Sequence, residues 1–330
     1  MKSLPALAGI ALMSCLGLAP LAPRAAIAAE PGFPSRPVTL VIPFPPGGAT
    51  DVNGRIIGQR LGKELGQPVV IENRAGAGTI IGASYVSKAA PDGYTLLVSS
   101  GTTFTVYPAI RPNLPYDPVK GFEPIGIAGR LALILLANSE VPVKTVKQFV
   151  DYVKASPGKY SYASYGTGTT SHFAGETILH AAGLKMTHVP YKGSAPAMTD
   201  LMGGQVAFSV DTVSAAIPQL KSGKIKAIAV TTAKRSSLLP DVPSLAESGY
   251  PDIDMDSWLI LAAPRGLPAD AKARLEKALA ATMADPDTRA RLSAQGLEPV
   301  YSNAAAASEL INRELPVMRA VAARANITAD

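Results

Sequence analysis

Three short stretches of the chain set glycine beside hydroxyl or carboxyl side chains, each where an apolar run gives way to a helical pattern. They are Pro45-Pro46-Gly47-Gly48-Ala49-Thr50-Asp51, then Ser99-Ser100-Gly101-Thr102-Thr103, then Ser164-Tyr165-Gly166-Thr167-Gly168-Thr169-Thr170-Ser171-His172. Phe44, at the tip of the first apolar run, is counted with the first stretch. Glycine lets a backbone approach another molecule closely. A helix start exposes unpaired N–H groups and the positive end of the helix dipole. Together these make an anion site. The donors here are amides and hydroxyls with little fixed charge. That set suits a carboxylate better than a triphosphate, which is usually held by lysine, arginine or a metal.

Two carboxylates stand near these stretches. Asp51 falls in a helix's first turn, where negative charge is favoured. It would repel a bound anion unless it shapes the Gly47-Gly48 turn through backbone donors, or takes an ammonium group of the ligand. Asp211 ends the strand-like VAFSVD and faces the same cleft. It can receive a ligand amine or ring nitrogen, or cap the helix that starts near Ser214. Tyr191 and Lys192, in VPYKGSAPA, also end a strand. Lys192 can attract an anion or simply be solvated.

Other chemistries lack their residues. Gly76-Ala77-Gly78-Thr79-Ile80-Ile81-Gly82 follows a strand but spaces its glycines wrongly for a dinucleotide fingerprint. There is no Walker motif and no G-x-S-x-G elbow. His172, His180 and His188 are eight residues apart each time, a poor spacing for metal ligands on one helix. His172 beside Ser171 is a weak nucleophile and base, because adjacent helical residues point apart. The sequence therefore implies neither catalysis, nor a metal, nor a cofactor, with an exported α/β enzyme as the least favoured alternative.

The elements that must position these stretches alternate along the chain. Strand, helix, strand, helix, strand over 38–99 reads as a parallel sheet covered on both faces. A second alternating block follows, with helices at 145–155, 170–182, 195–202 and 214–221 and strands at 159–163, 185–190, 206–210 and 225–231. Between the blocks lies FEPIGIAGRLALILLAN, residues 122–138, too long for an average strand. It reads as a strand leaving one lobe for another, with 255–263 as the return crossing. Helices at 269–284, 286–295 and 304–324 and a short strand at 297–301 complete the pattern. The expected fold is α/β: two lobes of parallel-rich sheet flanked by helices, joined by two crossing strands that serve as a hinge, in the manner of a type II periplasmic binding protein. Lobe one would be 30–128 with 258–330, and lobe two 129–257. In open α/β sheets, ligands sit at the carboxyl ends of strands, and all three stretches occupy such positions.

Composition bounds the setting. Lys2, an apolar run to Leu18 and an Ala-x-Ala site near Ala28 make residues 1–29 a secretory signal peptide. Cys15 is the only cysteine, so the mature chain can form no internal disulfide. Lipidation at Cys15 is a minor alternative. The formal charge of +6 falls to +4 when Lys2 and Arg24 leave with the signal. The basic residues are scattered, without the stripe a nucleic acid needs. A periplasmic chain acting as a monomer is expected.

Several longer motifs carry a family resemblance: PVTLVIPFPPGGATD, VVIENRAGAGTIIGA, PDGYTLL, YGTGTTSHFAGE, VPYKGSAPAMTDLMGGQV and WLILAAPRGLP. In this order the chain resembles the extracytoplasmic solute receptors of tripartite tricarboxylate transporters, often called Bug proteins. The resemblance implies a small carboxylated ligand held between two closing lobes and delivered to a membrane permease. In some members it implies instead a receptor that signals to a membrane sensor. It implies that Gly47, Gly48 and Asp51 hold one ligand carboxylate, partly through water. It implies that Ser164, Gly166, Thr167, Gly168, Thr169 and Thr170 contribute from the other lobe, and that Asp211 meets the ligand's distal end. The chain departs from the family's GAGGNIG at Thr79 and Ile80.

Overall fold

The computed structural model describes residues 32–328 except residue 112. The signal peptide, its cleavage site and Cys15 lie outside the described residues. From Phe33 onward the chain forms one compact unit.

The first block runs β1 (Val38–Ile42), α1 (Ala49–Leu65), β2 (Val69–Asn73), a 3₁₀ turn (Ala77–Thr79), α2 (Ile80–Ser87) and β3 (Thr95–Ser99). A π-helical turn (Thr102–Val106) and α3 (Tyr107–Ile110) follow, then β4 (Phe122–Asn138). The second block is α4 (Val146–Lys154), β5 (Ser161–Ser164), α5 (Thr170–Ala182), β6 (Thr187–Pro190), α6 (Ser194–Met202), β7 (Phe208–Thr212), α7 (Val213–Leu220) and β8 (Ile225–Val230). The chain returns through β9 (Asp256–Pro264) to α8 (Ala269–Ala284), α9 (Pro286–Ala294), β10 (Ser302–Asn303) and α10 (Ala304–Ala325).

The strands form a sheet of order β2-β1-β3-β9-β4-β7-β5-β6, with β8 and β10 also paired to β4. β1 pairs in parallel with β2 and β3, and β5 with β6 and β7. The 17-residue β4 joins the two sets. Its first part, from Phe122 to Ala132, pairs antiparallel with β9, and its last part, from Leu133, pairs with β7 and β8. One lobe lies on each half. Met255 packs in the second lobe's core and β9 pairs with β4 from Asp256, opposite Ala132, so the chain crosses back to the first half where β9 begins.

The apolar patterns fill a core on each face of each half-sheet. α1 and α8 cover one face over Leu40, Leu96 and Leu261, and α2 and the start of α10 cover the other over Val41, Leu97 and Trp258. In the second lobe α4 and α5 pack over Leu135, Phe208 and Val210, and α6 and α7 over Ile134, Ala163 and Val230.

Four differences from the sequence reading have physical causes. β7 runs to Thr212, so Asp211 lies inside a strand. Phe208 and Val210 face one core, and Ser209 and Asp211 the opposite face. The strand expected at 297–301 is split, because Pro299 offers no N–H to the ladder. Arg130 bridges to Glu298 before Pro299, and pairing resumes at Ser302. The turn at Thr102–Val106 follows β3 immediately, and its buried Thr102, Thr103, Phe104, Thr105 and Val106 have too short a run for a readable period. Finally, α10 spans both lobes. Ala307 and Ile311 pack in the first lobe's core, whereas Met318, Val321 and Ala322 pack in the second's. The helix is a third crossing element, and Pro316 lies between its two contact regions.

Candidate functional site

α1 starts at Gly48, whose extended backbone (φ −79°, ψ 169°) serves as the N-cap with no side-chain cap. Asp51, in the first turn, does not supply one either. It accepts the Gly47 N–H at 2.9 Å and the Asn73 amide at 2.8 Å, and it pairs with Arg55 at 2.9 Å. Burial opposes its charge, but the bonds from Arg55, Gly47 and Asn73 outweigh that and hold its carboxyl below the usual range. Asp51 therefore fixes the diglycine turn and leaves the first N–H groups of α1 without a side-chain partner.

α6 repeats the design from the second lobe. Its N-cap is Gly193 at φ 115°, a conformation glycine adopts without strain, and again no side chain caps the helix. A Cβ there would stand 3.4 Å from Pro45 Cγ in the first lobe, so the two loops meet. Pro196 has no N–H, which leaves Ser194 and Ala195 as the donors of this terminus.

The two helix starts wall one cavity of about 50 Å³, room for roughly three or four waters. Phe44, Pro45, Pro46 and Leu131 give it apolar walls. Thr50, Ser100, Tyr165, Ser194, Thr212 and Ser257 give it hydroxyl-bearing ones. Among the described residues, the sole charged one on its wall is the exposed Lys192. A second cavity, of about 240 Å³, abuts it through Ala49, Ser194 and Ala195 and also touches Gly47 and Ser214.

α5 is different. Thr169 caps it by accepting the His172 N–H, and Thr102 of the first lobe accepts the Thr170 N–H at 3.3 Å. The Tyr165 hydroxyl lies near Thr102, Thr170 and the Ser171 backbone, and burial first, then Asp211, raises its pKa. Tyr165 stands half-buried on the cavity wall. Two of the three leading N–H groups of α5, those of Thr170 and His172, are therefore satisfied by protein oxygens. The threonine-rich turn acts as a seam between lobes. A second seam joins Asn53 of α1 and the Gln295 carbonyl to the Ser214 hydroxyl.

Of the residues the sequence singled out, Phe44, Gly48 and Ser100 line the main cavity. Gly47 lies on the adjoining one. Gly101 and Thr102 open the π-helical turn behind Ser100, with the Thr102 N–H donating to Ser100 Oγ. Gly166, Thr167, Gly168, Thr169 and Thr170 stand behind Tyr165 and off both cavity walls. Ser164 Oγ bonds His188 Nε2 at 2.7 Å, and His172 stacks on His188 with centroids 3.8 Å apart. Burial and the neighbouring His172 depress His188 to about 3. The Tyr191 hydroxyl donates to Asp200, on α6. Asp211 is fully buried beneath Ser194. Its Oδ1 accepts the Ser194 hydroxyl at 2.8 Å and the Thr212 N–H at 2.7 Å, and its Oδ2 has no hydrogen-bond partner among the described residues. Burial pushes its pKa up to about 7 against those bonds.

Sequence reasoning missed the 193–196 turn as the lobe-two donor, along with Thr212. The signal was present in Gly193-Ser194-Ala195-Pro196, a glycine and a serine before a helix with proline in its first turn. Among the described residues no cluster of three His, Cys, Asp or Glu could hold a metal, and no helix is long and apolar enough to cross a membrane.

Residues 54–327 match the family described as tripartite tricarboxylate transporter family receptor. The chain is 35% identical over 271 residues to Protein BugT of Bordetella pertussis, covering 82% of this chain and 83% of that protein. It superposes on the solved periplasmic binding protein BugD with a TM-score of 0.84 at 36% identity, covering 90% of this chain and 99% of that one. For Rpa4515 of R. palustris, solved with adipate, the TM-score is 0.86 at 34% identity, again covering 90% and 99%.

Proposed function

The chain belongs to the receptors of the tripartite tricarboxylate transporter family, and from that membership we propose that it captures a small carboxylate between its lobes and passes it to a membrane permease. The observation that carries this reading is the pairing of two glycine-capped helix starts, α1 and α6, on opposite walls of one cavity. Each offers backbone N–H groups with no side-chain cap, and each carries the positive end of a helix dipole. A carboxylate has two oxygens and can accept from both. Only the closed arrangement satisfies both sets of donors, so binding shifts the lobes toward it. The relative solved with adipate supports a carboxylate ligand.

The role assigned is capture without chemical change, in the periplasm, by a chain working as a monomer. We assign 33–128 and 258–317 to lobe one and 129–257 to lobe two, with the end of α10 docked on lobe two. Calorimetric titration against a panel of mono- and dicarboxylates tests the reading. One or more acids should bind with unit stoichiometry and be recovered unaltered. Failure of all of them, or their turnover, would overturn it.

A further inference from the structure

The cavity between the helix starts holds roughly three or four waters, about the room of a carboxylate and its first carbon. The rest of an acid has to go elsewhere. The adjoining cavity, of about 240 Å³, offers the space. The two share Ala49, Ser194 and Ala195 as wall residues, and the diglycine turn divides between them, Gly48 on the first and Gly47 on the second. The same two helix starts therefore bound both cavities, and a carboxylate held between them sits at their junction. From there the second cavity runs as a groove along α6. Ala195, Met198, Thr199 and Met202 line it, three or four residues apart and so on one face of the helix. That stripe is about 10 Å long at 1.5 Å per residue. α7 adds Ser214 and Ala215 from its first turn and Pro218 and Gln219 from its last, while its N-cap Thr212 lies on the first cavity. Both helices thus start at the junction and end at the groove's far end, which faces the negative ends of their dipoles.

Resting on the carboxylate reading of the site, we propose that this groove takes the ligand's tail and that the tail is uncharged. The receptor then prefers monocarboxylates with an aliphatic or aromatic extension of up to about 10 Å over di- and tricarboxylates. The lining supports the selection. Among the described residues, none that lines the groove is charged. A second carboxylate would find no cation there, and the negative helix ends lie beyond it. An apolar tail instead meets Val52 of α1 on one side and Met198 and Met202 of α6 on the other. Methionine is unbranched and polarizable, so it adapts to a methylene chain or to the edge of a ring.

The test titrates acetate, butanoate, hexanoate, 3-phenylpropanoate and adipate calorimetrically. Hexanoate should bind about tenfold tighter than butanoate, because two further methylenes leave water. The aromatic acid should also exceed butanoate. Adipate has the length of hexanoate and a second charge, and it should bind about tenfold weaker than hexanoate. Two variants read the groove itself. Thr199 is exposed on the α6 stripe, and Thr199→Lys places a cation there. It should raise the affinity for adipate relative to hexanoate about tenfold. Val52→Ala shortens the apolar wall and should weaken hexanoate about fivefold more than acetate. Adipate binding as tightly as hexanoate overturns the proposal, and so does an affinity that stays flat from acetate to hexanoate. An unchanged ratio of adipate to hexanoate in Thr199→Lys overturns it as well. Absence of binding by all five acids would bring down the carboxylate reading itself, and this proposal with it.

Discussion

The hydroxyls of Thr102 and Thr170 stand 3.2 Å apart across the boundary between the lobes, and Thr102 also takes the Thr170 N–H. One lobe thus finishes the capping of a helix in the other. Opening the cleft breaks this cap and leaves the Thr170 N–H to water. Thr102→Val keeps the shape and removes the acceptor. It should weaken carboxylate binding by about tenfold, or roughly 1.4 kcal/mol. The melting temperature of the ligand-free protein should change little. Titration calorimetry and a thermal scan together check this.

Tyr107 is wedged between glycines of the two lobes. A Cβ on Gly78 would lie 2.0 Å from its ring, and one on Gly168 2.6 Å. Gly168→Ala should therefore hold the lobes apart and lower ligand affinity by tenfold or more. Gly183 provides the control, having nearly the same positive φ, 62° against 65°, with nothing near its would-be Cβ. Gly183→Ala should cost about 1 to 2 kcal/mol of stability through backbone strain alone. Its affinity should match the parent protein. Equal affinity loss in the two variants would show strain, and not closure, to be the cause.

Asp51 organises the diglycine turn, and its variant should read as a stability defect. Asp51→Ala loses the bonds to Gly47, Asn73 and Arg55, at a cost of about 2 kcal/mol. Because the folded-state pKa is depressed, the contribution is present above the ordinary value of 3.8 and disappears as pH falls below it. Denaturant melts of the parent and variant should converge in acid. A drop in affinity larger than the drop in stability would return Asp51 to the direct ligand contacts.

Asp211 acts with the opposite sign. Its folded pKa is raised from 3.8 to about 7, so the folded state holds a proton that the unfolded state releases in that interval. Stability linked to Asp211 is full below pH 3.8 and is lost as pH rises through 7. Asp211→Asn should be the more stable of the two by a few kcal/mol at pH 8, provided the amide keeps the Ser194 contact. The difference should shrink toward pH 4. A difference independent of pH would mean that Asp211 stays charged throughout.

The fold was largely legible because its signals are long. FEPIGIAGRLALILLAN predicted β4 to the residue, and the spacing of Val52, Ile56, Leu61 and Leu65 placed α1, with Val52 only half-buried on that face. The site was legible from the first lobe and only partly from the second. Glycine, hydroxyls and a helix start recur at both 166–170 and 193–196, and sequence cannot say which terminus is already capped. That depends on Thr102 arriving from a distant place in the chain. Thr79 shows another limit. It sits at φ 96°, a costly conformation for a β-branched residue, where the family pattern has glycine. Its hydroxyl accepts from Thr103, which in turn bonds Ser99, a compensation invisible in the linear order.

The most direct examination of this account is a crystal structure of the protein with the tightest-binding acid from the calorimetric panel. The account predicts one carboxylate bonded on one side by backbone N–H groups of residues 48–50, directly or through a single water, and on the other by those of residues 193–195. A carboxylate held by one lobe alone, or seated against the 166–170 turn, would contradict it.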